Sequence, residues 1–148
     1  SSFEPLPHRL VSVAAGGGLE FWNDSKATNT GSVVSSVRAL DRGLLLMMGG
    51  VDKGADFSEV ASCGARIKTV IAYGAAAGRI DDDLRGSLRV VRAAGLVGAF
   101  AVAVEEAEAG DAVLLAPGCA SFDEFTDYAE RGRRFEQLAR DWVAGIGR

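Results

Sequence analysis

The sequence predicts an α/β domain with three layers, in which helices cover both faces of a mostly parallel sheet. Continuous apolar runs of strand length alternate with amphipathic helical patterns, as is typical of parallel strands that are buried on both sides. Two apolar runs at the start are separated by three consecutive glycines, which predicts an antiparallel hairpin at one edge of the sheet. With 148 residues, 48% of them hydrophobic, the chain is long enough for one domain with a substantial core.

The predicted elements follow this pattern along the chain. The hairpin joins Arg9–Ala15 to Leu19–Trp22 through Gly16–Gly18. After the polar segment Asn23–Gly31, apolar residues recur at helical spacing over residues 33–40 and predict the first helix. The later elements are a strand at Leu44–Met48, a short helical segment at Ser58–Ser62, a strand at Ile67–Tyr73, a helix from Gly74 to about Leu84, a strand at Leu88–Val91, a helix at Leu96–Val104, a strand at Asp111–Ala116 and a carboxy-terminal helix that carries Phe135–Trp142.

This order predicts a Rossmann-like architecture with an antiparallel amino-terminal edge hairpin. In such sheets, ligands bind beyond the carboxyl ends of the strands. Three segments follow predicted strands and contain the unusual residues: the first loop (Asn23–Asn29), the second loop (Gly49–Phe57) and the third loop (Ala116–Phe125). We therefore expect the functional side chains in these three loops.

The composition argues against several classes of function. A formal net charge of −4 disfavours a nucleic-acid partner, because phosphate binding needs a basic face. The longest apolar run, Leu96–Val104, is far shorter than the ~20 residues of a membrane span, so no membrane association is expected. Cys63 and Cys119 are too few for a disulfide framework, which favours a reducing, cytoplasmic location.

The first loop has the composition of a ligand-binding loop. Six of its seven residues carry hydrogen-bonding side chains, and a predicted helix follows directly. Thr28, Asn29 or Thr30 can cap that helix, but a cap leaves Asp24 and Lys26 unexplained. Because a helix N-terminus beside an ammonium favours an anionic group, the loop predicts an anion-binding site.

The second loop places a lysine among glycines. Only three of the 16 basic residues are lysines, and Lys53 stands beside Gly50 and Gly54. This pattern fits either a ligand-binding loop or a surface turn. It does not match the GxxxxGK[ST] phosphate loop, and no GxGxxG follows a strand.

The third loop offers a hydroxyl and backbone amides. Ser121 either caps the turn that follows or helps to hold a carboxylate. A serine hydrolase is disfavoured because no GxSxG is present and the only histidine, His8, is distant in sequence. Cys119 is expected to be a packed residue. Arg9, just before the first predicted strand, can bind a phosphate through two hydrogen bonds. The sequence has no His, Cys, Asp and Glu residues at the spacing of a metal site, so no metal is predicted.

These loops, in this order, resemble the carboxy-terminal domain of the bacterial Mur ligases, in particular the branch that adds D-glutamate. The resemblance runs from Leu6–Arg9 through the three loops to Phe135 and covers nearly the whole chain. Asp24–Asn29 is its most specific part, because sister ligases that add other amino acids differ there. Phe122 and Tyr128 depart from the pattern, since other members often carry leucine and phenylalanine.

The resemblance implies part of an ATP-dependent ligase of peptidoglycan synthesis. Such ligases phosphorylate the carboxylate of UDP-N-acetylmuramoyl-L-alanine, and the amine of D-glutamate then attacks the acyl phosphate. By resemblance, the residues that contact D-glutamate are Thr28, Lys53, Ser121, Phe122 and Tyr128, the last two through the main chain near them. The residues that reach ATP are Arg9, Asp24 and Lys26, since a carboxylate suits a ribose hydroxyl and cations suit phosphate oxygens.

The resemblance also implies partner domains. The family's P-loop, magnesium ligands, modified lysine and uridine-nucleotide domain lie upstream, so ATP with Mg²⁺ is expected to be held mainly outside this chain. Ser1 is not an initiator methionine, and residues 1–148 are expected to be a single excised carboxy-terminal domain that holds no catalytic residue and is inactive alone. Two alternatives stay open: the corresponding domain of a folylpolyglutamate synthase-type ligase, which Asp24–Asn29 disfavours, and a free-standing α/β binding module.

Overall fold

A six-stranded sheet organises the part of the chain that the structure, a computed structural model, describes: residues 7–145. Ser1 and Leu6, which the sequence analysis used, lie outside these residues. The elements are β1 (Val11–Gly16), β2 (Leu19–Asn23), α1 (Thr30–Ala39), β3 (Leu44–Gly49), a 3-10 helix (Phe57–Arg66), β4 (Ile67–Tyr73), α2 (Ala77–Leu84), β5 (Val90–Ala93), α3 (Gly95–Glu106), β6 (Ala112–Leu115) and α4 (Tyr128–Gly145).

The strand order is β1-β2-β6-β3-β4-β5. Only the β1–β2 pair is antiparallel; the other four pairs of neighbours are parallel. The predicted fold class, a mostly parallel sheet with an antiparallel amino-terminal edge, is therefore confirmed.

Two apolar layers lie on opposite faces of the sheet because side chains alternate along each strand. On β3, Leu44, Leu46 and Met48 pack against α1, the 3-10 helix and α2. Leu45 and Met47 point the other way, toward α3 and α4. All five side chains are fully buried, which confirms the three-layer arrangement.

The opening hairpin is tighter and starts later than the sequence predicts. Gly17 and Gly18, with φ angles of 61° and 80°, form a two-residue turn, as the twist of a hairpin favours. The strand begins at Val11 rather than Arg9, because His8 and Leu10 have positive φ angles of 63° and 48°. Arg9 consequently lies outside the sheet.

The fifth strand is displaced by two residues from its predicted position. Ser87 and Leu88 both donate backbone N–H bonds to the Leu84 carbonyl, at 2.9 Å, and so extend the turn that ends α2. Pairing with β4 therefore starts at Val90.

None of the helices within residues 7–145 combines the length and apolar character needed to cross a lipid bilayer.

Candidate functional site

The three loops meet at one edge of the sheet. They follow β2, β3 and β6, which are parallel neighbours in the order β2-β6-β3. The Gly118 amide donates to the Ala27 carbonyl at 2.8 Å and joins the third loop to the first. The amides of Val51 and Ala120 donate to each other's carbonyls, at 2.8 and 3.1 Å, and join the second loop to the third.

Close contact between the second and third loops requires glycine at position 50. Gly50 has a φ of 127°, and a Cβ added there would lie 2.1 Å from the Ala120 carbonyl oxygen. Any side chain would therefore push the two loops apart.

The first loop ends in a capped helix. Asn29 is the N-cap of α1, and its Oδ1 accepts a bond from the Ser32 amide at 2.8 Å. Of the three predicted capping candidates, the structure thus selects Asn29. Thr28 is half-buried, and Asp24 and Lys26 are not needed for the cap.

The three residues predicted to reach ATP line one cavity of about 370 Å³. Arg9 enters it from the segment before β1, and Asp24 and Lys26 enter it from the first loop. The opposite wall comes from α1 and is lined by Ser32, Ser35, Ser36 and Ala39.

Asp24 is the buried carboxylate of this cavity, with 3% of its surface exposed. The Leu10 amide donates to its Oδ1 at 3.1 Å, and the Ser36 hydroxyl donates to its Oδ2. Burial raises the pKa of Asp24 above its usual value, whereas these two hydrogen bonds and the nearby Arg9 charge oppose the rise.

Lys53 projects into solvent from a loop that its neighbour organises. Asp52 Oδ1 accepts bonds from the amides of Gly54 and Ala55 at 2.9 and 3.0 Å, and its Oδ2 pairs with Arg79. Within residues 7–145, no carboxylate forms an ion pair with Lys53. Its ammonium is therefore available to an anionic ligand.

Two carboxylates of the third loop fix it to the neighbouring segments of the chain. Asp123 accepts a bond from the Ala75 amide at 3.1 Å, and Glu124 accepts from the Leu96 amide, near the start of α3, at 3.2 Å. Ser121 is 3% exposed, and its hydroxyl bonds to none of the described residues. The fixed loop thus presents a hydroxyl that has no hydrogen-bond partner among residues 7–145.

The two aromatic residues of the predicted D-glutamate group lie in different places. Phe122 stays in the third loop and is 70% exposed. The Tyr128 ring lies 5.7 Å from Lys26 Nζ and makes an edge contact with His8, and its carbonyl accepts the Ser25 hydroxyl at 2.6 Å. Tyr128 is therefore close to Lys26, which the sequence analysis placed with ATP.

Sequence reasoning assigned no role to Arg131, which binds the first and third loops together. Its side chain is 1% exposed. The guanidinium donates to Ser25 Oγ at 2.9 Å, to the Ser25 carbonyl at 2.8 Å and to the Cys119 carbonyl at 3.1 Å. Its position four residues before Phe135, on the apolar stripe of α4, is the sequence signal that indicates burial.

Cys119 is a packed residue, as predicted. It is buried, and burial raises the pKa of its thiol to about 12, which disfavours the nucleophilic thiolate at neutral pH. Among residues 7–145, no three His, Cys, Asp or Glu side chains are grouped closely enough to hold a metal ion.

Comparison with known proteins connects these loops to one family. The family described as "Mur ligase, glutamate ligase domain" matches residues 8–119. The chain is 41% identical over 145 residues to the UDP-N-acetylmuramoylalanine--D-glutamate ligase of Geotalea daltonii, which covers 97% of this chain and 32% of the relative. The enzyme of the same name from Myxococcus xanthus is 42% identical over 134 residues, or 90% of this chain and 30% of the relative. The chain thus spans about a third of the length of the curated relatives it matches.

Solved structures share the fold. The bifunctional folylpolyglutamate synthase/dihydrofolate synthase of Yersinia pestis superposes with a TM-score of 0.65 at 18% identity, over 90% of this chain and 31% of that one. The UDP-N-acetylmuramate-alanine ligase of Thermotoga maritima has a TM-score of 0.63 at 10% identity, over 95% and 31%. At these identities the likeness concerns the fold alone.

Proposed function

The chain belongs to the Mur ligase glutamate ligase domain family, and from this premise we propose that it is the carboxy-terminal domain of a cytoplasmic, ATP-dependent ligase. The intact ligase adds D-glutamate to UDP-N-acetylmuramoyl-L-alanine during peptidoglycan synthesis. The observation that supports the proposal is the convergence of the three loops at the carboxyl ends of β2, β6 and β3, together with a cavity lined by Arg9, Asp24 and Lys26.

The three loops together supply what D-glutamate needs. This substrate brings two carboxylates, which require a cation and fixed hydrogen-bond donors. In this proposal Lys53 supplies the cation, and the half-buried Thr28 and the buried Ser121 supply hydroxyls. The exposed main chain around Phe122 adds amide donors at the same edge.

The cavity beside α1 supplies what part of a nucleotide needs. A volume of about 370 Å³ is within the usual range of ligand pockets. Arg9 and Lys26 suit phosphate oxygens, and the Asp24 carboxylate suits the hydroxyls of a ribose. Mg²⁺ enters with ATP and, in this proposal, is held by the rest of the ligase.

The chemical contribution of this chain is positioning. Holding the amine of D-glutamate against the acyl phosphate turns an encounter of two reactants into a reaction within one complex. Closure of this domain on its partner domains also excludes water, which would otherwise hydrolyse the acyl phosphate. We expect the isolated chain to release no phosphate from ATP when D-glutamate is added.

A hybrid enzyme tests the proposal. In the Geotalea daltonii ligase, the region that aligns with this chain is replaced by residues 1–148, and phosphate release is measured with D-glutamate, L-glutamate, meso-diaminopimelate and L-alanine. We expect release with D-glutamate alone. Release with L-glutamate would favour the folylpolyglutamate synthase-type alternative, whereas a folded but inactive hybrid would favour a separate binding module.

Asp24→Asn is expected to weaken ATP use without weakening the fold. Loss of the charge from a bond to ribose hydroxyls raises the KM for ATP roughly tenfold, while the KM for D-glutamate stays within about twofold. The pKa of Asp24 is higher in the folded than in the unfolded state, so the folded state disfavours the ionised carboxylate. Ionisation of Asp24 at neutral pH therefore lowers the free energy of unfolding of the unsubstituted chain. The free energy of unfolding at pH 7 is therefore not expected to fall, which denaturant titration checks. An unchanged KM for ATP would contradict the nucleotide assignment.

A further inference from the structure

The cavity wall formed by α1 contains a serine that has no predicted ligand role of its own but contacts the predicted nucleotide ligand Asp24. Ser36 is 7% exposed, and its hydroxyl donates to Asp24 Oδ2. The other carboxylate oxygen, Oδ1, is occupied by the Leu10 amide at 3.1 Å. Each oxygen of the Asp24 carboxylate therefore accepts one hydrogen bond from residues 7–145.

The backbone of Asp24 is also fixed. Its amide donates to the Leu115 carbonyl at 2.8 Å, at the carboxyl end of β6, and its carbonyl accepts from Ala27 at 2.9 Å. With the backbone held, the remaining freedom of the carboxylate is rotation about its side-chain bonds. Only Leu10 and Ser36 donate hydrogen bonds to the side chain within residues 7–145.

The two donors differ in what they fix. The Leu10 amide belongs to a segment in which His8 and Leu10 have positive φ angles, so this bond also holds the backbone that carries Arg9. The Ser36 hydroxyl belongs to helix α1, and its bond to Asp24 does not hold the segment that carries Arg9. Ser36 therefore sets the orientation of the carboxylate, and loss of its hydroxyl leaves the Arg9 segment in place.

We propose that Ser36 is a positioning residue for nucleotide binding, which holds the Asp24 carboxylate so that its free lone pairs face the cavity. The inference rests on the proposed function, because it needs a nucleotide in that cavity. Ser36 bonds to Asp24, and in this proposal it acts through that carboxylate.

The test is the kinetics of Ser36→Ala in the intact ligase that carries this chain. We expect the KM for ATP to rise roughly three- to tenfold, as for loss of one buried hydrogen bond. The values of kcat at saturating ATP and of KM for D-glutamate should stay within about twofold. In an Asp24→Asn background, Ser36→Ala should add no further increase, because the serine acts through the carboxylate.

The pH profile separates positioning from a structural effect. The Ser36 hydroxyl favours the ionised carboxylate, as do the Leu10 amide and the Arg9 charge, so its loss moves the acid limb of kcat/KM for ATP to higher pH. Val34→Ala is the matched control. It removes buried volume from the same helix and lowers the melting temperature, but leaves the acid limb in place.

Each outcome decides one question. If the wild-type ligase shows no D-glutamate-dependent phosphate release, the proposed function fails. If the wild type is active and Ser36→Ala leaves the KM for ATP and the acid limb unchanged, the role of Ser36 is refuted while the proposed function stands. A shift that Val34→Ala reproduces, or that persists in the Asp24→Asn background, also refutes it.

Discussion

Lys53→Ala is expected to raise the KM for D-glutamate roughly 100-fold in the intact ligase, while the KM for ATP stays within about twofold. The ammonium lies at the carboxyl end of β3, has no ion pair within residues 7–145 and stands in a loop that Asp52 holds in shape. Its loss leaves a substrate carboxylate without its cation, and charged hydrogen bonds are worth about 1.5–3 kcal/mol each. Initial rates against D-glutamate concentration measure the effect.

Lys68→Ala is the matched control for this substitution. Lys68 is near the start of β4, at the opposite end of the sheet, and pairs with Asp111 at 2.8 Å. Its removal leaves the buried Asp111 carboxylate without its cation and is expected to cost about 1–3 kcal/mol of stability, but it should not change the KM for D-glutamate. If Lys53→Ala behaves like Lys68→Ala, Lys53 does not bind the substrate. Lys53→Arg is expected to recover only part of the loss, because a planar guanidinium does not replace a compact ammonium.

Arg131→Met is expected to lower the free energy of unfolding by about 2–3 kcal/mol. The substitution keeps the aliphatic bulk but removes the donors to the Ser25 and Cys119 carbonyls, which then remain buried without partners. Because these carbonyls belong to the first and third loops, the KM values for ATP and D-glutamate should both rise. Denaturant unfolding and steady-state kinetics measure the two effects.

Arg133→Ala provides the comparison for Arg131. Arg133 is exposed on the same helix, two residues away, and its removal should change the free energy of unfolding by no more than about 0.5 kcal/mol. Equal stabilities of the two variants would mean that the buried guanidinium does not hold the loops together. Arg131→Lys should lower the free energy of unfolding by most of the same amount, because one ammonium cannot replace a guanidinium that donates three hydrogen bonds in fixed directions.

Local sequence patterns sufficed to predict most of the fold. The apolar run around β3 is buried on both faces, so it indicates a parallel strand without reference to the rest of the chain. The hairpin was predicted from glycines that adopt positive φ angles. His8 and Leu10 adopt the same region without being glycine, and this local conformation, which shortens the first strand, has no compositional signal.

The site was predicted less completely, because its contacts join distant segments. Asp24 and Lys53 stood out as charged residues in loops after strands, and resemblance supplied their expected roles. The contact from Arg131 to Ser25 spans 106 residues, and the Ser36 contact with Asp24 depends on how α1 packs on the first loop. Both residues lie on apolar stripes of their helices, so burial could be predicted for them but their partners could not.

Placement of the two ligands is the central claim, and a crystal structure of the intact ligase with ADP and D-glutamate tests it most directly. We expect a D-glutamate carboxylate within hydrogen-bond distance, about 3 Å, of Lys53 Nζ, and the ribose hydroxyls of ADP beside the Asp24 carboxylate. D-glutamate bound away from the second and third loops, or a ribose outside the cavity that Asp24 and Ser36 line, would contradict it.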